Sequence, residues 1–133
     1  NVGTDTVLSV HPNLWNKALS NIIGNAVLHS PCGQHVFITE YPAEDAGNAA
    51  CQNSLKPCEK ERILVIENTG TFILEDDLSH LFTPFYRTDK SRNKATGGSG
   101  LGLYIVKTIL DLHGMTYCIK NTQNGVAFIL YLP

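Results

Sequence analysis

Long apolar runs are missing from this chain of 133 residues. None approaches the roughly 20 residues that span a bilayer. The longest candidate, Ile105 to Leu112, is broken by Lys107, Thr108 and Asp111. An excess of positive charge is missing too. The net charge is −2, which leaves no electrostatic footprint for nucleic acid or an anionic membrane surface. The N-terminus has neither the basic stretch nor the cleavage pattern of a secretory leader, and no initiating Met, so the chain is expected to be a fragment of a longer protein. Cysteines stand at 32, 51, 58 and 118, with no Cys-x-x-Cys pair and no His at zinc-finger spacing. Free reduced thiols in a cytosolic domain are the expectation, with a Cys51–Cys58 disulfide as the alternative.

What is present suits one domain with a real core: 43% of residues are hydrophobic. Thr6 to Val10 reads as a short strand. His11-Pro12 then opens a helix to Leu28, with Trp15, Ala18, Leu19, Ile22, Ile23 and Ala26 at helical spacing. Ser30-Pro31 ends it. Val36 to Tyr41 is strand-like. Residues 42–61 carry few large apolar side chains and read as a surface insertion. Ile63 to Ile66 suits a buried strand, and Glu75 to Leu81 a short helix with an acidic first turn. Leu101 to His113 carries Leu103, Ile105, Val106, Ile109, Leu110 and Leu112 on one broad face, with Gly114 as its stop. Tyr117 to Lys120 and Val126 to Leu132 flank a turn at Gln123-Asn124-Gly125, read as a hairpin. The order predicts an α/β (α+β) sandwich, its sheet covered on one face by helices.

Chemistry is suggested at two places. Residues 97–104 read GGSGLGLY, with four glycines in six residues at the mouth of a helix. Such a loop lets the backbone approach a phosphate, which the helix N-terminus favours; equally, it is a plain flexible connection. It is not a P-loop, since Gly102 is followed by Leu103 rather than Lys, and it lacks the third glycine and preceding strand of the dinucleotide pattern. Asn21 and Asn25 lie one helical turn apart, beside the apolar stripe. Their carbonyl oxygens are hard donors of the kind Mg²⁺ accepts, though the pair alone reads as two solvent-facing amides.

In order along the chain come SNIIGNAVLHSP, ENTGTFI, LFTPFYRTDKSR and TGGSGLGLYIVKTILDLHG. This succession resembles the ATP-binding catalytic domain of bacterial sensor histidine kinases, within the GHKL superfamily that includes gyrase B, Hsp90 and MutL. The resemblance covers nearly the whole chain apart from the 42–61 insertion. It implies the Bergerat ATP-binding fold, a mixed, mostly antiparallel sheet under about three helices, and Mg²⁺-ATP as ligand. The first block is similar to the N box, with Asn25 as the Mg²⁺-binding asparagine, Asn21 its partner, and His29 at a position usually aromatic or His. Leu28 stands where many relatives have Lys or Arg, so that phosphate contact is lost. The second is similar to the G1 box, Asn68 in the place of an Asp that accepts from the adenine amino group, Gly70 as the first glycine and Phe72 in place of the second. A shift of one residue would put Glu67 there instead. The third is similar to the F box: Phe82, Pro84, Phe85 and Tyr86, then Arg87, Lys90 and Arg92 as phosphate-binding candidates. Phe82 and Phe85 also read as plain core, and Lys90 as solvated surface. The fourth is similar to the G2 box, making residues 88–100 a mobile phosphate lid with Gly98, Gly100, Leu101, Gly102 and Leu103 at its hinge.

The resemblance further implies γ-phosphoryl transfer to a histidine on a separate helical dimerisation domain, then to an aspartate of a response regulator. It implies a cytoplasmic domain of a plasma-membrane sensor, reaching the membrane only through other parts of the full-length protein. Catalytic weight would fall on Asn21, Asn25 and Arg87. Two alternatives stay open: an ATPase of the gyrase type, and a nucleotide-sensing module without transfer chemistry. The first needs a base one turn before Asn25, where Asn21 offers a neutral amide. The second sits poorly with a full set of Mg²⁺, adenine and phosphate candidates.

Overall fold

Residues 7–42, 44, 62–88 and 99–132 are described in the computed structural model of the chain. Pro12 opens helix α1 (Pro12–Leu28), where its missing N–H is no loss. Ala18, Ile22 and Ala26, four apart, form its buried line. The expected strand before it is not formed over residues 7–10. Leu8 packs against the core, but the chain turns into α1 at once, and the His11 N–H donates to His113 Nε2 at 3.1 Å rather than to a strand.

Strand β1 (Val36–Pro42) and strand β2 (Arg62–Thr69) are followed by helix α2 (Glu75–Leu78), helix α3 (Gly102–Leu112), strand β3 (Thr116–Asn121) and strand β4 (Gly125–Leu132). The sheet order is β1-β2-β4-β3, and the described pairs are all antiparallel. Helix α2 stops three residues short of the expected Leu81, in a run of turns. Helix α3 ends in a Schellman motif. The Gly114 N–H donates to the Asp111 carbonyl and the Met115 N–H to the Leu110 carbonyl, both at 3.0 Å, with Gly114 at φ 64°. Its apolar face is narrower than the spacing predicts, for Leu112 is 72% exposed.

Strand alternation sorts the core into two layers. Leu64, Ile66, Phe128, Leu130 and Leu132 meet Ile22, Ala26, Val106 and Leu110 of the helices. Ile63, Val65, Ala127, Ile129 and Tyr131 form a second cluster on the opposite face. The helices cover one face, as expected, yet the other is buried along β2 and β4 as well. This accounts for the unbroken apolar run of β4. Cys118 packs against the second cluster and is disulfide-bonded, contrary to the free-thiol expectation, whereas Cys32 is free and exposed. Cys51 and Cys58, and nearly all of the 42–61 insertion, lie outside the described residues.

The β3–β4 hairpin forms, but not through positive φ at Asn124-Gly125. Thr122 Oγ1 instead accepts from the N–H groups of Asn124 and Gly125. Glycine is required at 125 by proximity: a Cβ there would stand 1.9 Å from the Asn68 carbonyl oxygen of β2.

Candidate functional site

A cavity of about 350 Å³ opens between the C-terminal half of α1, the end of the sheet and the chain on either side of residues 89–98. Its floor is apolar, from Ile22 and Ala26 of α1, Ile66 of β2, Ile119 of β3, and Val126 and Phe128 of β4. Asn68 is set into that floor, only 5% exposed. The β2 register puts the two G1-box candidates on opposite faces of the sheet, and only Asn68 lines the cavity. Asn68 shares the helix-side face with Ile66, while Glu67 points to the other face and accepts from the Thr122 hydroxyl.

One wall is the segment from Thr71 to Leu74. It is held by a residue the sequence does not advertise. The Asn121 side chain accepts from the Ile73 N–H at 2.9 Å and donates to the Ile73 carbonyl at 2.7 Å, doing the work of a strand pair. The opposite wall is the F-box segment, contributing Leu81, Tyr86, Arg87 and Thr88. Phe82 anchors it, edge-on to Tyr117 at 5.3 Å and to Phe128 at 6.4 Å, and those two rings stack on each other at 6.2 Å. Tyr86 donates its hydroxyl to Asp77 Oδ1.

Phe85 departs from the core reading. It is 70% exposed and stands at φ 62°, an uncommon backbone state for a bulky residue. Its N–H donates to the Gly100 carbonyl at 3.0 Å, and a Cβ on Gly100 would meet the Phe85 backbone at 2.8 Å. The two form a clasp that joins the F-box segment to the start of α3. Gly100 itself stands at φ 78°, where a side chain would be strained in any case.

At the mouth of the cavity α1 faces the first turn of α3. A Cβ on Gly102 would stand 3.1 Å from Asn21 Oδ1 and 3.8 Å from Asn25 Nδ2, so the helices meet here because residue 102 is glycine. Asn21 donates its Nδ2 to the Lys17 carbonyl at 2.9 Å, which turns its oxygen toward α3. Helix α3 starts without a side-chain cap, leaving first-turn N–H groups and the positive dipole end beside Asn21 and Asn25. Two side-chain amides next to such a helix end suit a hydrated Mg²⁺ bound together with phosphates. No group of three or more His, Cys, Asp or Glu side chains able to hold a metal exists among the described residues.

Of the expected site residues, Asn21, Asn25, His29, Asn68, Tyr86, Arg87, Gly100, Gly102 and Leu103 line this cavity. Gly70, Phe85 and Leu101 do not. Gly70 turns the chain after β2, where a Cβ would meet the Gln34 side chain; Phe85 serves the clasp and Leu101 is the N-cap position of α3. Lys90, Arg92 and Gly98, with most of the expected lid, lie outside the described residues. Missed by the sequence reading were the floor residues Ile119, Val126 and Phe128 and the clamp residue Asn121. Their only signal was membership of a hairpin.

A family described as histidine kinase-, DNA gyrase B-, and HSP90-like ATPase matches residues 11–133. The sensor protein VanSB of Enterococcus faecalis is 43% identical over 122 residues, covering 92% of this chain and 24% of its own length. The sensor histidine kinase CusS of Escherichia coli is 32% identical over 132 residues, covering 99% and 24%. The chain thus spans about a quarter of the length of these curated relatives. Among solved structures, the mycobacterial sensor histidine kinase MprB superposes with a TM-score of 0.68 at 25% identity, over 92% of this chain and 72% of that one.

Proposed function

The chain belongs to the family of histidine kinase-, DNA gyrase B- and HSP90-like ATPases, and from that membership we propose that it is the catalytic, Mg²⁺-ATP-binding part of a sensor histidine kinase. Its γ-phosphoryl group goes to a histidine on a helical dimerisation domain elsewhere in the full-length protein, and from there to an aspartate of a response regulator. The observation that carries this reading is convergence: blocks far apart in the chain meet at one cavity, with an apolar floor holding one buried amide and a mouth at an uncapped helix end.

A flat base with one polar edge suits the floor beside Asn68. The phosphates then extend toward the first turn of α3, whose N–H groups at Gly102 and Leu103 are free to receive them. Asn25 ligates Mg²⁺ and Asn21 supports it from one turn earlier; the bound ion supplies neutralisation of phosphate charge. Arg87, with Lys90 and Arg92, binds phosphate oxygens. His29 and Tyr86 flank the nucleotide, Gly70 shapes the turn behind the base, and the Phe85–Gly100 clasp with Gly98 and Leu101 sets the hinge of the lid. Asn21 is neutral and engaged with the Lys17 carbonyl, so it cannot activate water, which favours transfer over hydrolysis. The relatives' names are those of sensors, and no helix among the described residues is long and apolar enough to cross a membrane. A cytoplasmic position below a membrane-borne sensor region follows from the reading.

Titration calorimetry with ATP, with and without Mg²⁺, tests the proposal. Saturable, Mg²⁺-dependent binding is expected; no heat at millimolar ATP would overturn it.

A further inference from the structure

The floor of the cavity contains a donor with nothing to donate to. Asn68 Nδ2 is buried and has no hydrogen-bond partner, in a side chain that is 95% withdrawn from solvent and lines the cavity. Among the described residues, neither Glu40, the other buried polar residue, nor Ser30, whose buried hydroxyl is also unpartnered, lines the cavity. Buried polar groups are almost always satisfied, so an orphan of this kind in a cavity wall marks a place where a ligand completes the bonding. No hydrogen bond among the described residues holds the Asn68 amide in either of its two orientations. A half-turn about its last torsion exchanges a carbonyl oxygen for an NH₂ group at nearly the same place.

We propose that Asn68 reads the six-position of a purine through this reversible amide, so that the pocket accepts 6-oxopurine nucleoside triphosphates as well as ATP. The inference rests on the nucleotide-binding reading above and names its base specificity. Adenine presents an amino donor at position six and an acceptor at N1; the amide meets them with Oδ1 and Nδ2. Hypoxanthine presents a carbonyl acceptor at position six and an N1–H donor; the same amide, turned over, meets those equally well. A carboxylate at this position has only acceptors. Apolar walls from Ile22, Ile66, Val126 and Phe128 hold the base in place, so a carboxylate would set one of its oxygens against an acceptor of either base, N1 of adenine or the carbonyl of hypoxanthine, at a cost of roughly ten- to a hundred-fold in affinity for both.

The test measures Kd for Mg²⁺-ATP and Mg²⁺-ITP by calorimetry on this chain and on its Asn68→Asp and Asn68→Ala variants, with thermal melts to verify folding. ITP differs from ATP only along the edge in question. The unaltered chain should bind the two within about ten-fold of each other. Asn68→Asp should weaken both nucleotides by about ten-fold or more, since the donor that serves either base is gone, and Asn68→Ala should weaken both together. A preference for ATP above about a hundred-fold in the unaltered chain would overturn the proposal, as would undiminished ITP affinity in folded Asn68→Ala. Should the aspartate variant fail to fold, the affinities of the unaltered chain and of Asn68→Ala decide. Absence of ATP binding altogether would overturn the nucleotide reading itself.

Discussion

On the proposed reading side-chain amides carry the recognition in this site, and Asn25 and Asn68 have distinct duties. Asn25 stands at the mouth, opposite the first turn of α3. Asn25→Ala removes a hard oxygen without touching the buried line of α1, so Mg²⁺-dependent ATP affinity should fall by more than ten-fold with the melting temperature nearly unchanged. Calorimetry at fixed Mg²⁺ reads this, and unaltered affinity would remove Asn25 from the metal role. Asn68 stands at the floor. One directional bond to a buried base contributes roughly 0.5–1.5 kcal/mol net, so Asn68→Ala should weaken ATP and ADP alike. Glu67→Ala should not, because that carboxylate serves Thr122 on the far face of the sheet. The reverse pattern would shift the G1 register by one residue. The motif alone left both candidates open; the two-residue period of a strand sets them on opposite faces of the sheet.

At the scale of elements, the cavity exists because loops are pinned to the sheet. Asn121 at the end of β3 replaces a missing strand pair for residues 71–74. Asn121→Ala leaves the Ile73 N–H and carbonyl unpartnered in a half-buried place, which should cost about 1–3 kcal/mol of stability. It should also weaken ATP binding several-fold, since that segment is a wall; a denaturant melt and a binding titration check the two effects separately. Between α3 and β3, Asp111 accepts from Lys107 at 2.6 Å and from the Tyr117 hydroxyl at 2.7 Å. The Lys107 bond holds the Asp111 carboxyl below its ordinary range, with the Tyr117 bond adding to it. Burial, and then the bond to Asp111, raise the Tyr117 phenol well above its ordinary 10.0. A phenol with a raised folded-state pKa contributes stability that is whole below pH 10.0 and is lost as pH rises further, because the unfolded chain ionises first. Melting temperature should therefore drop as pH rises above 10.0, and drop less in Tyr117→Phe. Equal slopes would show that Tyr117 does not govern the alkaline limb.

At the scale of the whole molecule, the proposed reading gives this chain the phosphoryl donor's machinery and puts the acceptor histidine elsewhere. Its histidines are at 11, 29, 35, 80 and 113, and none heads a block such as His-Glu-Leu-Arg-Thr-Pro. His80 precedes the F-box segment and stacks near Tyr86, at 5.3 Å between rings. Phosphoryl transfer depends on positioning and charge stabilisation, so a bound nucleotide with no acceptor has nothing to react with. The isolated chain should bind ATP, hydrolyse it very slowly and remain unlabelled by γ-labelled ATP. Supplying the helical domain of its own full-length protein as a separate chain should give acid-labile label on that domain, weaker than when tethered, because the linker's effective concentration is gone. Brisk turnover by the chain alone would favour an ATPase instead.

The sequence by itself determined what is local. Helix α1 was legible from its period and from Pro12, the end of α3 from Gly114, the hairpin from its two apolar runs, and the four blocks from residue types at fixed spacing. Each of these is decided by neighbours a few residues away. Only the tertiary structure decided the rest. Residues 7–10 favour a strand by composition, but they pair with no strand among the described residues and the chain turns into α1 instead. Phe82 and Phe85 are the same residue type three positions apart; one is packed under Tyr117 and Phe128, the other is exposed and bent around Gly100. Gly125 reads as a turn glycine, yet it is needed because β2 passes within 1.9 Å of where its Cβ would lie. The cavity floor gathers Ile22, Ile66, Ile119 and Phe128 from four elements, and no spacing along a chain encodes which apolar residues will share a wall. That follows from how the layers pack, which is a property of the sheet and its helices together.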